Sequence, residues 1–163
     1  MKVPLTVVDH LRRAEQVYGH RTAFIDEPDQ PAESWGTQTY AEMARRARAQ
    51  AAALDKLGVS QGARVAVVSQ NSARLLTSFF GVSAFGRILA PINFRLSAEE
   101  VAYIVEHCGA EVLIVDPELN ESLKNVSAKH RFVIGAESDE LLYDYSTEPR
   151  PWMPDRSEEH TSE

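Results

Sequence analysis

Three short apolar runs, at residues 65–68, 88–92 and 112–115, alternate with two stretches of helical period at 73–85 and 98–108. Runs that short and that continuously apolar predict strands buried on both faces, as in a parallel sheet. Parallel neighbours also need connections of helix length. Residues 64–116 are therefore expected to form a βαβαβ unit. Upstream, Val8, Leu11, Ala14 and Val17 recur every three residues and predict a helix over 5–18, with Gly19 available to end it in the left-handed conformation. Residues 22–26 favour a strand, 27–32 a loop, and 34–39 a returning strand of a hairpin. The clearest helix is 40–57. Thr39 and Glu42 have the spacing of a capping box, and Tyr40, Met43, Ala44, Ala47, Ala51, Leu54 and Leu57 form one stripe. Gly58 and Gly62 then turn the chain into the first strand. Downstream, a weak helix over 117–128 is anchored by Leu119, Leu123 and Val126, a fourth strand is expected at 132–134, and residues 136–154 read as a surface loop. The predicted fold class is α/β, a three-layer, mostly parallel sheet with flanking helices.

Composition narrows the class without changing the pattern. Hydrophobic residues make up 44% and charged residues 25% of 163 positions, room for one domain with a real core. A net charge of −7 without a basic cluster argues against a nucleic-acid partner. No apolar run is long enough to span a bilayer, so no transmembrane segment is expected. The opening MKVPLTVVDHLRRAEQ becomes charged too soon for a secretory leader, and the one cysteine, Cys108, suits a reducing, cytoplasmic location.

Candidate chemistry is sparse. The turn after the first strand, SQNSARL, contains no glycine, so it is neither a dinucleotide-binding turn nor a P-loop. No Gly-x-Ser-x-Gly elbow exists. His107 and Cys108 are sequence neighbours on a helix, about 100° apart, which is poor geometry for a nucleophile and its base. His10, His20 and His130 lack metal-ligand spacing. Glu99 and Glu100 fall in a first helical turn, where carboxylates stabilise the dipole. Arg45, Arg46 and Arg48 lie largely off the apolar stripe and are expected on a solvated face rather than in an anion site. Asn71, Ser72, Asn93 and Arg95 follow strand ends, where α/β proteins place ligands, but turn and cap roles suit them at least as well.

The last eight residues, RSEEHTSE, match the translation of a common sequencing-library adapter, AGA TCG GAA GAG CAC ACG TCT GAA, and are expected to be non-native; a natural acidic tail is the alternative. Without that tail's one Arg and three Glu, the 17 basic and 24 acidic residues become 16 and 21, a net −5. The expected organisation is thus 1–155 as a natural portion, cut short, and 156–163 as the added tail.

The wording of the central stretch carries a resemblance. A helix ending Leu57-Gly58-Val59, Gly62 before Val65-Ala66-Val67-Val68, then Asn71-Ser72, a small-residue helix reaching Gly86, Ala90-Pro91-Ile92-Asn93, and a helix opening Ser97-Ala98-Glu99-Glu100 together resemble the early part of the adenylate-forming acyl-CoA synthetases. Arg87 departs from the small or apolar residue frequent after that glycine, and must sit at the strand mouth or find a partner. The resemblance implies an enzyme that joins a carboxylate to ATP, releasing pyrophosphate, and then passes the acyl group from AMP to coenzyme A. The Asn93-Phe94-Arg95-Leu96 wording leans towards fatty-acyl or related carboxylates. Such enzymes neutralise the phosphates with a Ser/Thr/Gly-rich loop ending in Pro-Lys-Gly, with Mg²⁺, and with a lysine on a mobile C-terminal domain. None of those motifs occurs in this sequence. The expectation is an inactive portion of a ligase, with no catalytic, cofactor-binding or metal-binding residue of its own. ATP, Mg²⁺ and coenzyme A would serve only the intact enzyme. Two alternatives stay open: a freestanding Rossmann-like binding module, and another adenylate-former acting on aryl or amino acids.

Overall fold

The computed structural model describes residues 6–152, so the adapter-like string at 156–163 lies outside the described residues. In chain order come α1 (Val7–Tyr18), β1 (Thr22–Ile25), β2 (Thr37–Thr39), α2 (Tyr40–Lys56), β3 (Arg64–Val68), α3 (Ala73–Gly81), β4 (Ile88–Ile92), α4 (Ala98–Cys108), β5 (Ala110–Val115), β6 (His130–Val133) and α5 (Ala136–Leu142). β3 to β6 form one parallel sheet in the order β4-β3-β5-β6, and β1 with β2 forms a separate antiparallel hairpin.

The central strands read as unbroken apolar runs because helices cover both faces. Val65 and Val67, with Val112 and Ile114, face one core, which includes Ala49 and Leu54 of α2. Ala66 and Val68, with Leu113 and Val115, face the other, built from Val101 and Val105 of α4 and from Leu123 and Val126. Side chains of period two thus serve two cores at once. A third cluster joins Leu11 of α1 to Met43, Ala44 and Ala47 of α2 and to Phe24 of the hairpin.

β4 is the exception to burial on both faces. It lies at the sheet edge, and Ile88 is 49% exposed. The Ile88 amide donates to the Ala63 carbonyl at 2.9 Å, so alternate residues 88, 90 and 92 direct their backbone groups to β3. Pro91 therefore turns its nitrogen to the open side, the position at which a strand tolerates proline.

Local chemistry sets the helix ends. Thr39 and Glu42 close a capping box on α2: the Thr39 amide donates to Glu42 Oε2 at 2.7 Å, and the Glu42 amide to Thr39 Oγ1 at 3.2 Å. Ser97 and Glu100 do the same for α4, which Gly109 terminates at φ 62°. Gly19 does not take the left-handed conformation expected of it: its φ is −47°, and its use is steric, because a Cβ there would strike the Glu15 carbonyl. The stretch expected as one helix to residue 85 is α-helical only to Gly81 and closes with a 3-10 turn at Ser83–Phe85. Residues 117–128 hold only a 3-10 turn, Pro117–Leu119, although Leu123 and Val126 do anchor the segment as expected.

Two expectations hold only in part. Residues 136–154 are not all loop: α5 occupies Ala136–Leu142, with Leu142 and Tyr143 buried against the core. Of the α2 arginines, Arg45 is exposed as expected, while Arg46 and Arg48 are half-buried, and each has a partner. Arg48 forks onto Glu15 of α1 at 2.7 and 2.8 Å, Arg46 stacks 4.0 Å from the Trp35 ring centroid, and Arg45 lies over Tyr145 at 4.8 Å. Arg48 holds the Glu15 carboxyl below its ordinary value of 4.5. A carboxylate depressed by folding stabilises the fold above its unfolded pKa, and that contribution is lost as pH falls through the folded value. Glu15→Gln should therefore melt below wild type at neutral pH, with the gap closing as the buffer is taken below 4.5. The pair is about a third exposed, so the gap should be small.

Candidate functional site

In a sheet ordered β4-β3-β5-β6 the chain leaves β3 for β4 on one side and returns past it to β5 on the other. The crevice outside the carboxyl ends of β3 and β5 is then the topological switch point, where open α/β sheets bind ligands. Ser69 and Asp116 are the first residues past those two strands.

Here the crevice is closed by its own residues. Ser69 Oγ donates to the Gln70 carbonyl at 2.8 Å and lies 3.4 Å from Asp116 Oδ2. Asp116, 4% exposed, also accepts from the Glu118 amide at 3.1 Å, and Gln70 Nε2 donates to Glu118 Oε2 at 2.7 Å. Two carboxylates thus line the crevice, a repulsive field for an anion.

The N-terminus of α3, which opens beside that crevice, is occupied too. Ser72 caps it, accepting from the Leu75 amide at 3.3 Å. Asp26, from the end of β1, places Oδ1 2.9 Å from the Ala73 amide, while its Oδ2 accepts from the Trp35 amide at 2.9 Å and from Gln30 at 2.7 Å. Asp26 is 5% exposed. A helix N-terminus of this kind can receive phosphate; this one receives an internal carboxylate, which also ties the hairpin to the sheet. Sequence reasoning missed Asp26, because a single acid after a short strand carries no signal until its partner 47 residues on is known.

The other strand-end candidates are scattered. Asn71 is exposed at the rim of a cleft of about 330 Å³ whose apolar walls are Phe24, Ile25, Leu75, Leu76 and Phe79. Asn93 Oδ1 accepts from the Arg95 amide at 3.0 Å, a local turn, and Arg95 lies over the Phe94 ring at 5.3 Å. His107 stacks on Tyr103 with ring centroids 5.4 Å apart, while Cys108 Sγ contacts the Val105 carbonyl at 3.5 Å, so the two do not pair. His10 and His20 are exposed, and His130 Nε2 is buried with no hydrogen-bond partner among the described residues. Glu100 serves its capping box, and Glu99 stands exposed beside it. No group of acidic, histidine or cysteine side chains among the described residues could hold a metal ion.

Two buried guanidiniums lie away from the crevice. Arg87, the unusual residue after Gly86, finds a partner: its side chain is 1% exposed, Nη2 lies 2.6 Å from Asp55 Oδ1, and Nε and Nη2 reach the Val59 carbonyl at 3.1 and 2.7 Å. Asp55 also anchors the returning chain, accepting from the Arg150 amide at 2.7 Å. Arg74, its side chain 6% exposed, pairs with Asp139 at 2.6 Å, donates to the Glu33 carbonyl at 2.8 Å and lies under the Trp35 ring at 4.6 Å. Burial raises the Tyr143 phenol, next to this cluster, far above its ordinary range. These groups hold the fold together, and their charges are spent on one another.

Among the described residues the switch point has no glycine between Ser69 and Ser72, and of its two acids Asp116 is buried and Glu118 exposed.

Comparison with known proteins says what the scaffold is. The sequence profile described as AMP-binding enzyme matches residues 11–162. The chain is 36% identical over 121 residues to 4-hydroxybutyrate–CoA ligase 2 of Metallosphaera sedula, covering 74% of this chain and 21% of that one. It is 44% identical over 81 residues to the long-chain-fatty-acid–CoA ligase of Thermus thermophilus, covering 50% and 15%. The fold superposes on the N-terminal domain of FACL13 from Mycobacterium tuberculosis with a TM-score of 0.75 and 29% identity, covering 90% of this chain and 37% of that domain. The chain spans about a fifth or less of the length of these curated relatives. With the profile matched across nearly its whole length, the chain belongs to the AMP-binding enzyme family, the family of the acyl-CoA ligases.

Proposed function

We propose that this chain is the N-terminal portion of an ATP-dependent acid–CoA ligase and contributes scaffold rather than chemistry. In the intact enzyme a carboxylate oxygen would attack the α-phosphate of ATP, releasing pyrophosphate and leaving an acyl-adenylate. The thiol of coenzyme A would then take the acyl group and release AMP. Fatty-acyl or related carboxylates are the proposed substrates, ATP, Mg²⁺ and coenzyme A the proposed co-reactants, and the cytoplasm the proposed compartment. The observation that carries the division of labour is the closed switch point: Ser69, Gln70, Asp116 and Glu118 satisfy one another, and Asp26 fills the α3 N-terminus. Phosphate recognition then belongs to residues elsewhere in the enzyme, and no helix among the described residues is long and apolar enough to cross a membrane.

The purified 163-residue chain, given ATP, Mg²⁺, coenzyme A and a panel of acids from butyrate to palmitate and benzoate, should release no AMP or pyrophosphate above the protein-free rate. Calorimetric titration with Mg-ATP should show no heat of binding. Acid-dependent AMP formation would overturn the scaffold reading. Reading the gene onwards from codon 155 tests the family chemistry separately, because a Ser/Thr/Gly-rich loop ending in Pro-Lys-Gly should follow.

A further inference from the structure

The joint between α2, α3 and α5 is polar, although the core around it is apolar. Gln50 of α2 is 1% exposed, and its Nε2 donates to Ser78 Oγ of α3 at 2.9 Å. Ser78 Oγ in turn donates to the Arg74 carbonyl at 2.8 Å, so that hydroxyl has no proton left for the Gln50 oxygen. Gln50 Oε1 is buried and has no hydrogen-bond partner among the described residues. A buried amide oxygen left in that condition carries its full desolvation penalty.

A second unpaired group lies across the joint. Tyr143, just past α5, is 6% exposed, and its phenol makes no hydrogen bond among the described residues. Burial and the Asp139 carboxylate both hold that phenol in its protonated form, a donor without an acceptor.

Gln50, Arg74, Ser78, Asp139 and Tyr143 line one cavity, against Val67 and Ile114 of the sheet. The cavity measures about 10 Å³, room for the centre of one water and for no larger ligand. Its two charged groups already balance, Arg74 Nη2 lying 2.6 Å from Asp139 Oδ2, so a neutral occupant fits and an ion would stand unpaired.

We propose that this cavity is a structural water site, in which one water accepts from the Tyr143 phenol and donates to Gln50 Oε1 and to the Asp139 carboxylate. The carboxylate keeps a lone pair free beside its forked contact with Arg74. Three hydrogen bonds is the usual number for a buried water. The site joins the segment that follows α5 to the crossing of α2 and α3.

Tyr143→Phe is the sharpest test. A phenol bonded to water loses that bond, and the folded-to-unfolded ratio should fall about fivefold at unchanged urea slope. A phenol with no partner is better removed, so a ratio unchanged or raised would overturn the site. Gln50→Met keeps the volume and drops the amide; it should also weaken the fold, since Ser78 is lost along with the water. The double variant should lose clearly less than the product of the two single factors, because the same water is removed only once. Factors that simply multiply would mean the two groups share no ligand. A high-resolution crystal structure of the 163-residue chain should show one ordered water within hydrogen-bonding distance of Tyr143 Oη and Gln50 Oε1. A dry cavity, or a phenol bonded directly to Asp139, would overturn the proposal.

Discussion

Replacing Asp55 with alanine should cost the fold about 3–5 kcal/mol, read as a lower urea midpoint at unchanged slope. The large effect comes from what stays behind. Arg87, its side chain 1% exposed, would keep the Val59 carbonyl but lose the carboxylate that balances its charge. The opposite deletion should be milder. Arg87→Met removes the buried charge and fills its space, while Asp55, its side chain 15% exposed, retains Arg150 at 3.1 Å; a loss nearer 1 kcal/mol is expected. Combining Asp55→Ala with Arg87→Met should recover much of what Asp55→Ala loses, because the unpaired cation is gone. If the two single changes proved equally costly, the buried charge would not be the dominant quantity.

Asp139→Ala should also cost about 3–4 kcal/mol, by the same physics at a different joint. Arg74 would retain the Glu33 carbonyl and the Trp35 ring but lose its forked contact with Asp139. This variant has a local signature as well. α5 is seven residues long and has no side-chain N-cap, so Asp139 is a principal tie to the sheet alongside buried Leu142 and Tyr143. Amide exchange over 136–145 should rise before that of β3 and β5. Trp35 emission should also shift, since the ring lies between Arg46 and Arg74 and edge-on to Tyr143 at 5.3 Å. Protection that fell uniformly across the sheet would mean α5 is not a separable unit.

The two buried pairs also mark where sequence reading stops. Elements whose cause is local were legible: the Thr39/Glu42 and Ser97/Glu100 boxes fix helix starts within three residues, and the apolar runs at β3 and β5 mark strands buried on both faces, with β4 the half-exposed edge beside them. The family was legible through the order and spacing of several short phrases, none specific by itself. α5 was not legible, since AESDELL has no stripe and its partner Arg74 lies 65 residues earlier. The same holds for Asp26, which reads as a loop acid until α3 is placed against it, and for the α2 arginines, whose partners come from α1, the Trp35 turn and Tyr145. Gly19 failed for a subtler reason: a glycine after a helix signals either a left-handed cap or a close approach, and composition does not separate the two. Asn71, Ser72, Asn93 and Arg95 do lie past strand ends as read, but whether they face a ligand or one another depends on distances that spacing does not carry.

The outward nitrogen of Pro91 gives the sheet a sense of direction. Any process that lengthens it, whether recombination of gene segments, a designed extension or mispairing during refolding, meets a stop on the β4 side and an uninterrupted ladder on the β6 side. Insertions and fusions that carry strand-forming sequence should therefore be tolerated differently at the two flanks. Substituting Pro91 would remove that asymmetry and create a second nucleus for aggregation.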